Sequence, residues 1–158
     1  MTNIPLALRL VACGLPVPTF TPGKDGGCAS WITSGKGDDS RYWEADLSIG
    51  DTCRPFGTDP AAGLLFRCVT TDDGPRLLPV LDGFALSGWI KAEISKLVGG
   101  FVGSFPYYSK TSQGWHVVVD GPDMPDGPIE SAILNCGPEA TEIEALTAAW
   151  ESALKVAE

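Results

Sequence analysis

Glycine or proline interrupts this chain about once in every five residues: there are 19 glycines and 13 prolines among 158 residues, against roughly 12% in ordinary proteins. Neither residue suits the interior of a helix or a central strand. The elements must therefore be short and the turns numerous, and a helical bundle is not expected. The breakers are scattered among apolar runs, which argues for a packed core rather than disorder. With 44% apolar residues and five tryptophans, the core needs no staple. The length suits one compact domain over 1–158, which would bury roughly 70% of the surface its unfolded form exposes.

The pattern between breakers predicts the elements. Residues 4–13 place Leu6, Leu10 and Cys13 at helical spacing, with Leu8 and Val11 beside them. Asn3 is suited to cap that helix, Pro5 to its first turn and Gly14 to its end. Residues 15–20 read as an edge strand broken by prolines, and 42–49 as a loosely alternating strand. Residues 63–70 and 77–81 form a hairpin about the turn Asp72-Asp73-Gly74-Pro75. Ser87 reads as the cap of a helix over 88–98, which Gly99 and Gly100 end. Residues 101–108 are extended and aromatic. Residues 115–119 are nearly all apolar, which predicts a strand buried on both faces, and 129–136 suggest another. The helix over 141–156 is the clearest: Thr141 caps it, Glu142 and Glu144 suit its positive end, and Ile143, Leu146, Trp150, Ala153 and Leu154 form its apolar stripe. The fold class is α+β: a mostly antiparallel or mixed sheet with two or three helices, one of them C-terminal.

The five cysteines, at 13, 28, 53, 68 and 136, contain no CxxC pair, so a zinc ribbon or thioredoxin-type motif is not expected. Arg9 interrupts the apolar residues 4–13 and no cleavage site follows, so no signal peptide is evident. No run reaches the ~18–20 apolar residues of a membrane span. The expectation is a cytoplasmic protein with reduced thiols and no membrane partner, in the host cytoplasm if phage-encoded. The net charge is −9, which favours solubility and opposes nucleic-acid affinity, since that affinity comes largely from neutralised phosphates. A local basic strip of Lys91, Lys96 and Lys110 is interrupted only by Glu93.

One segment stands out, Ser109-Lys110-Thr111-Ser112-Gln113-Gly114 leading into Trp115-His116-Val117-Val118-Val119. It sets the chain's one histidine at the mouth of a strand, behind hydroxyls, a lysine and a glycine. Hydroxyls, Lys110 and turn N–H groups suit phosphate oxygens, and an imidazole beside them can donate to phosphate or move a proton. Structural duty at a strand edge is the other reading of the same histidine. The segment resembles the histidine motif of the archaeo-eukaryotic primase superfamily, especially its phage and plasmid primase-polymerases. The order of elements over 4–119 is similar as well, and Leu78-Pro79-Val80-Leu81-Asp82 resembles the strand that ends in a metal-binding carboxylate.

That resemblance implies a metal-dependent nucleotidyltransferase with His116 and Asp82 as catalytic residues and Asp82 as a ligand of Mg²⁺ or Mn²⁺. Ser109, Lys110, Ser112 and Gly114 would bind the nucleotide, and the partner would be a nucleotide or nucleic acid. The family pairs two acids one residue apart, whereas this chain has Asp82-Gly83-Phe84; Glu44-Ala45-Asp46 has the spacing but lies far upstream. The third acid is open among Asp120, Asp126 and Glu130. Two-metal catalysis needs converging carboxylates, so a binding-only relative stays open too.

Two other classes compete. Gly26-Gly27-Cys28-Ala29-Ser30-Trp31 resembles the nucleophile segment of papain-like and CHAP-type thiol hydrolases, which implies a Cys28 thiolate activated by His116. Alternatively the chain acts by binding, as immunity proteins, nucleic-acid mimics and virion accessory proteins do. Its acids would then face a basic protein partner, and Trp43, Phe101, Phe105, Tyr107 and Tyr108 would be candidate anchors.

Overall fold

A computed structural model of the chain describes residues 3–33, 42–81, 84–108, 113–120, 132–133 and 141–157. Among these residues, three helices and three small antiparallel sheets make an α+β fold. Internal contacts gather into two compact units, Met1–Leu81 and Asp82–Glu158. No described helix is long and apolar enough to cross a membrane.

The first unit opens with α1 (Ile4–Cys13) at its expected bounds. Asn3 accepts a hydrogen bond from the Leu6 N–H at 3.1 Å, which satisfies one orphan donor of the first turn. Gly14 closes the helix with φ 115° and donates its N–H to the Leu10 and Val11 carbonyls, a conformation that side chains resist. The buried face of α1 sets Ala7 against Val69 and Leu78, with Ile4, Leu8, Val11 and Leu81 around them. Leu6 and Leu10 are buried beside it, and each buried leucine contributes about 1.5–3 kcal/mol.

The first sheet orders its strands β1-β2-β3, from Thr19–Pro22, Gly26–Ile32 and Tyr42–Ser48. The strand expected over 15–20 begins only at Thr19, which faces Ser30. Pro16 and Pro18 have no N–H to give a ladder, so pairing starts beyond them. Gly26 and Gly27 lie pressed against their neighbours. An added Cβ would stand 1.9 Å from the Leu47 carbonyl oxygen at Gly26 and 2.4 Å from the Phe20 ring at Gly27. The second sheet is β4 (Thr52–Cys53), β5 (Phe66–Thr71) and β6 (Gly74–Pro79). The expected hairpin is present, displaced by a few residues and turned at Gly74 with φ 100°.

The second unit comprises α2 (Phe84–Val98), β7 (Phe101–Tyr108), β8 (Gln113–Asp120), β9 (Ala132–Ile133) and α3 (Glu142–Ala157). Its sheet has the order β7-β8-β9. The α2 helix begins at Phe84, so Ser87 is not its cap but a buried residue of its first turns. The expectation that β8 is buried on both faces is also corrected. Val117 and Val119 are buried while His116 and Val118 are half-exposed, the alternation of an antiparallel strand with one covered face. Thr141 caps α3 by accepting the Glu144 N–H at 3.1 Å, and Ile143, Leu146, Trp150 and Ala153 are buried as the stripe predicts. Trp150 meets Trp89 of α2 edge to face, with ring centroids 5.7 Å apart. Of the strand expected over 129–136, Ala132–Ile133 pairs with β8, and the other residues lie outside the described ones.

Gly26→Ala is expected to destabilise the first unit by about 2–4 kcal/mol, seen as early loss of amide-exchange protection in β2 and β3. Gly88→Ala, in the middle of α2 with open space around its Cβ, should instead stabilise the second unit by about 0.5–1 kcal/mol.

Candidate functional site

The second unit is organised around Glu142, the first residue of α3. Its Oε1 accepts the Ser87 hydroxyl of α2 at 2.5 Å and the Ser104 hydroxyl of β7 at 3.0 Å. Lys91, one turn beyond Ser87, stands 3.6 Å from the same oxygen. Burial opposes the charge on Glu142, but the two hydroxyls and Lys91 outweigh it, and the carboxyl is held below its ordinary range. One carboxylate thereby ties two helices and a strand.

That tie defines the faces of the sheet. Residues directly opposite in an antiparallel pair share a face, and Ser104 pairs with Val117 while Val102 pairs with Val119. Val102, Val117 and Val119 are buried, so this is the helix-covered side. The alternate residues, Phe101, Gly103 and Phe105 of β7 with His116 and Val118 of β8, belong to the other side. There Phe101 is 73% exposed and Phe105 54% exposed. Both rings lean over Gly103, where an added Cβ would lie 3.4 Å from each. His116 faces Phe105 across the ladder. It is half-exposed with its Nδ1 atom enclosed.

His116 is therefore not at a strand mouth; it is the fourth residue of β8, on the side of the sheet that carries the exposed Phe101 and Phe105. Gly114, expected in a nucleotide-binding turn, is a buried strand residue opposite Tyr107. Asp82, Ser109, Lys110 and Ser112 lie outside the described residues. Among the described residues, no group of three or more His, Cys, Asp or Glu side chains is placed to hold a metal ion, and Asp82 and its candidate partners Asp126 and Glu130 are not among them. The basic strip is accounted for in part. Lys91 is directed to Glu142 and Lys96 to Glu93 at 2.7 Å, both on a helix whose buried Ile90 and Ile94 help form the covered core.

In the first unit, Cys28 of β2 sits opposite Asp46 of β3. Partial burial raises the pKa of its thiol, and the charges of Glu44 and Asp46 raise it further. Cys53 is pushed up to about 11, by burial first and then by neighbouring Cys68. These are poor settings for a thiolate nucleophile.

Sequence reading missed Glu142 as a centre, since its partners are distant in the chain. The exposed face had a signal: Phe101, Gly103 and Phe105 recur at period two. Set against protein-family models, curated proteins and solved structures, the chain shows no match to any of them.

Two outcomes follow from these environments. Glu142→Ala should cost about 1.5–3 kcal/mol, the usual worth of hydrogen bonds to a charged group, measured by denaturant unfolding. The lowered carboxyl stabilises the fold fully above the ordinary carboxylate range and loses that contribution as pH falls through its folded pKa. Glu142→Gln should therefore flatten the acid side of the stability–pH curve. Separately, Cys28 should alkylate several-fold more slowly at neutral pH than a free cysteine, and Glu44→Gln with Asp46→Asn should speed it.

Proposed function

We propose that the chain acts by binding, docking a basic protein partner on the bare face of the Asp82–Glu158 sheet. The observation that carries this reading is the exposure of Phe101 and Phe105, side by side over Gly103. Contiguous exposed aromatic surface is costly to leave in water and marks interaction sites, and aromatic side chains dominate binding energy once a partner covers them.

Charge selects the partner. The second unit carries most of the chain's acid excess, and its basic side chains are Lys91, Lys96, Lys110 and Lys155. A basic rim around an apolar centre would complement it and speed the encounter. A nucleic-acid strand stacking on the same two rings would need cations nearby, and Lys91 and Lys96 are engaged with Glu142 and Glu93. The thiol-hydrolase reading is disfavoured by the raised pKa of Cys28.

The test is a titration of isotope-labelled chain, first with each basic protein that it retains at low salt, purified singly, and then with a nucleotide plus Mg²⁺ or Mn²⁺. The expected result is protein-induced shifts at Phe101–Phe105 and His116–Val118, with affinity lower by about tenfold or more in Phe101→Ser/Phe105→Ser. Those substitutions sit on exposed positions and should change stability by no more than about 0.5 kcal/mol. Metal-dependent nucleotide binding that disappears in His116→Ala would contradict this reading and favour the primase-like one.

A further inference from the structure

The strand β3 is an edge of its sheet: it pairs with β2, and no described strand pairs with its other side. Its hydrogen-bonding phase is fixed by the Ile49 N–H, which donates to the Asp25 carbonyl at 3.1 Å. Ladder bonds recur at every second residue of an antiparallel pair. Trp43, Ala45 and Leu47 therefore bond β2, while the N–H and C=O groups of Tyr42, Glu44, Asp46 and Ser48 point outward. The Ser48 pair is already taken. Its N–H donates to the Asp51 carboxylate at 2.9 Å and its carbonyl accepts the Asp51 N–H at 3.0 Å. Among the described residues, the stretch of edge with no partner strand is Tyr42, Glu44 and Asp46.

The side chains along that edge are sorted by face. Trp43 stacks on buried Trp31, with centroids 6.2 Å apart, and meets Phe56 at 5.6 Å. Trp43 and Phe56 are 49% and 46% exposed, a half-covered aromatic shelf beside the edge. On the opposite face Glu44 and Asp46 are exposed and stand across from Ser30 and Cys28. Unprotected edges invite further strands, and charge is a common defence. Here the defence is selective. A second copy paired antiparallel about Ala45 would set Glu44 opposite Asp46, and like charges directly opposite repel.

We propose that β3 accepts an extended partner segment as an added strand, one whose residues alternate apolar and basic. Its backbone would bond the outward-pointing N–H and C=O groups of Tyr42, Glu44 and Asp46. Its apolar side chains would lie against Trp43 and Phe56, and its basic ones against Glu44 and Asp46. Strand addition draws affinity from the main chain and specificity from alternate side chains. This surface belongs to Met1–Leu81 and stands independently of Phe101 and Phe105.

The probe is a seven-residue peptide alternating lysine and valine, titrated into the full chain. The same peptide N-methylated along one edge and a glutamate–valine peptide are the comparisons. The expected result is slowed amide exchange at Tyr42, Glu44 and Asp46, with affinity about tenfold or more lower after N-methylation. Glu44→Lys/Asp46→Lys should reverse the preference towards the glutamate–valine peptide, with Ala29 and Trp31 amides still protected to show that the sheet is intact. Phe101→Ser/Phe105→Ser should leave all of this unchanged. Binding indifferent to N-methylation or to the charge reversal, shifts confined to Phe101–Phe105, or no protection at millimolar peptide would each overturn the proposal.

Discussion

A single carboxylate joins two helices and a strand on the covered side of a small sheet. Glu142 opens α3, where a negative charge also suits the helix end. It gathers hydroxyls from α2 and β7 and the ammonium of Lys91. With that polar tie made, Ile90, Ile94, Leu146 and Trp150 are buried on the side shared with Val102, Val117 and Val119. The same alternation sends Phe101, Phe105, His116 and Val118 to the other side.

Charge acts differently at each place where it matters. At Glu142 it is partly buried and satisfied, so it contributes structure. At Glu44 and Asp46 it is exposed along an open strand edge, where it discourages self-pairing and favours a basic strand. At Cys28 partial burial raises the thiol pKa first, and those two acids raise it further. Two of the second unit's four lysines, Lys91 and Lys96, are directed to acids of their own unit.

What the sequence made legible was local. Asn3, Pro5 and Gly14 bounded α1 because capping depends on residues within one turn. Thr141 and the stripe from Ile143 to Ala153 did the same for α3, and Asp72 to Pro75 announced the hairpin. The start of α2 was misread because serine is a good cap in isolation, whereas the Ser87 hydroxyl is claimed by Glu142, 55 positions away. Solid apolar residues in β8 suggested two buried faces, but valine fits a half-covered strand equally well. His116 was correctly placed on a strand, yet its surroundings depend on the register with β7, which no local pattern encodes. The remaining residues of the expected nucleotide site, Asp82, Ser109, Lys110 and Ser112, lie outside the described residues.

The central claim, that the sheet of the second unit presents Phe101 and Phe105 to solvent, needs no partner to be tested. Hydroxyl-radical footprinting of the free chain reads the accessibility of each ring directly. The account predicts rapid modification of Phe101 and Phe105 and strong protection of Trp150, which is 3% exposed. Equal protection of all three rings in the free chain would contradict it.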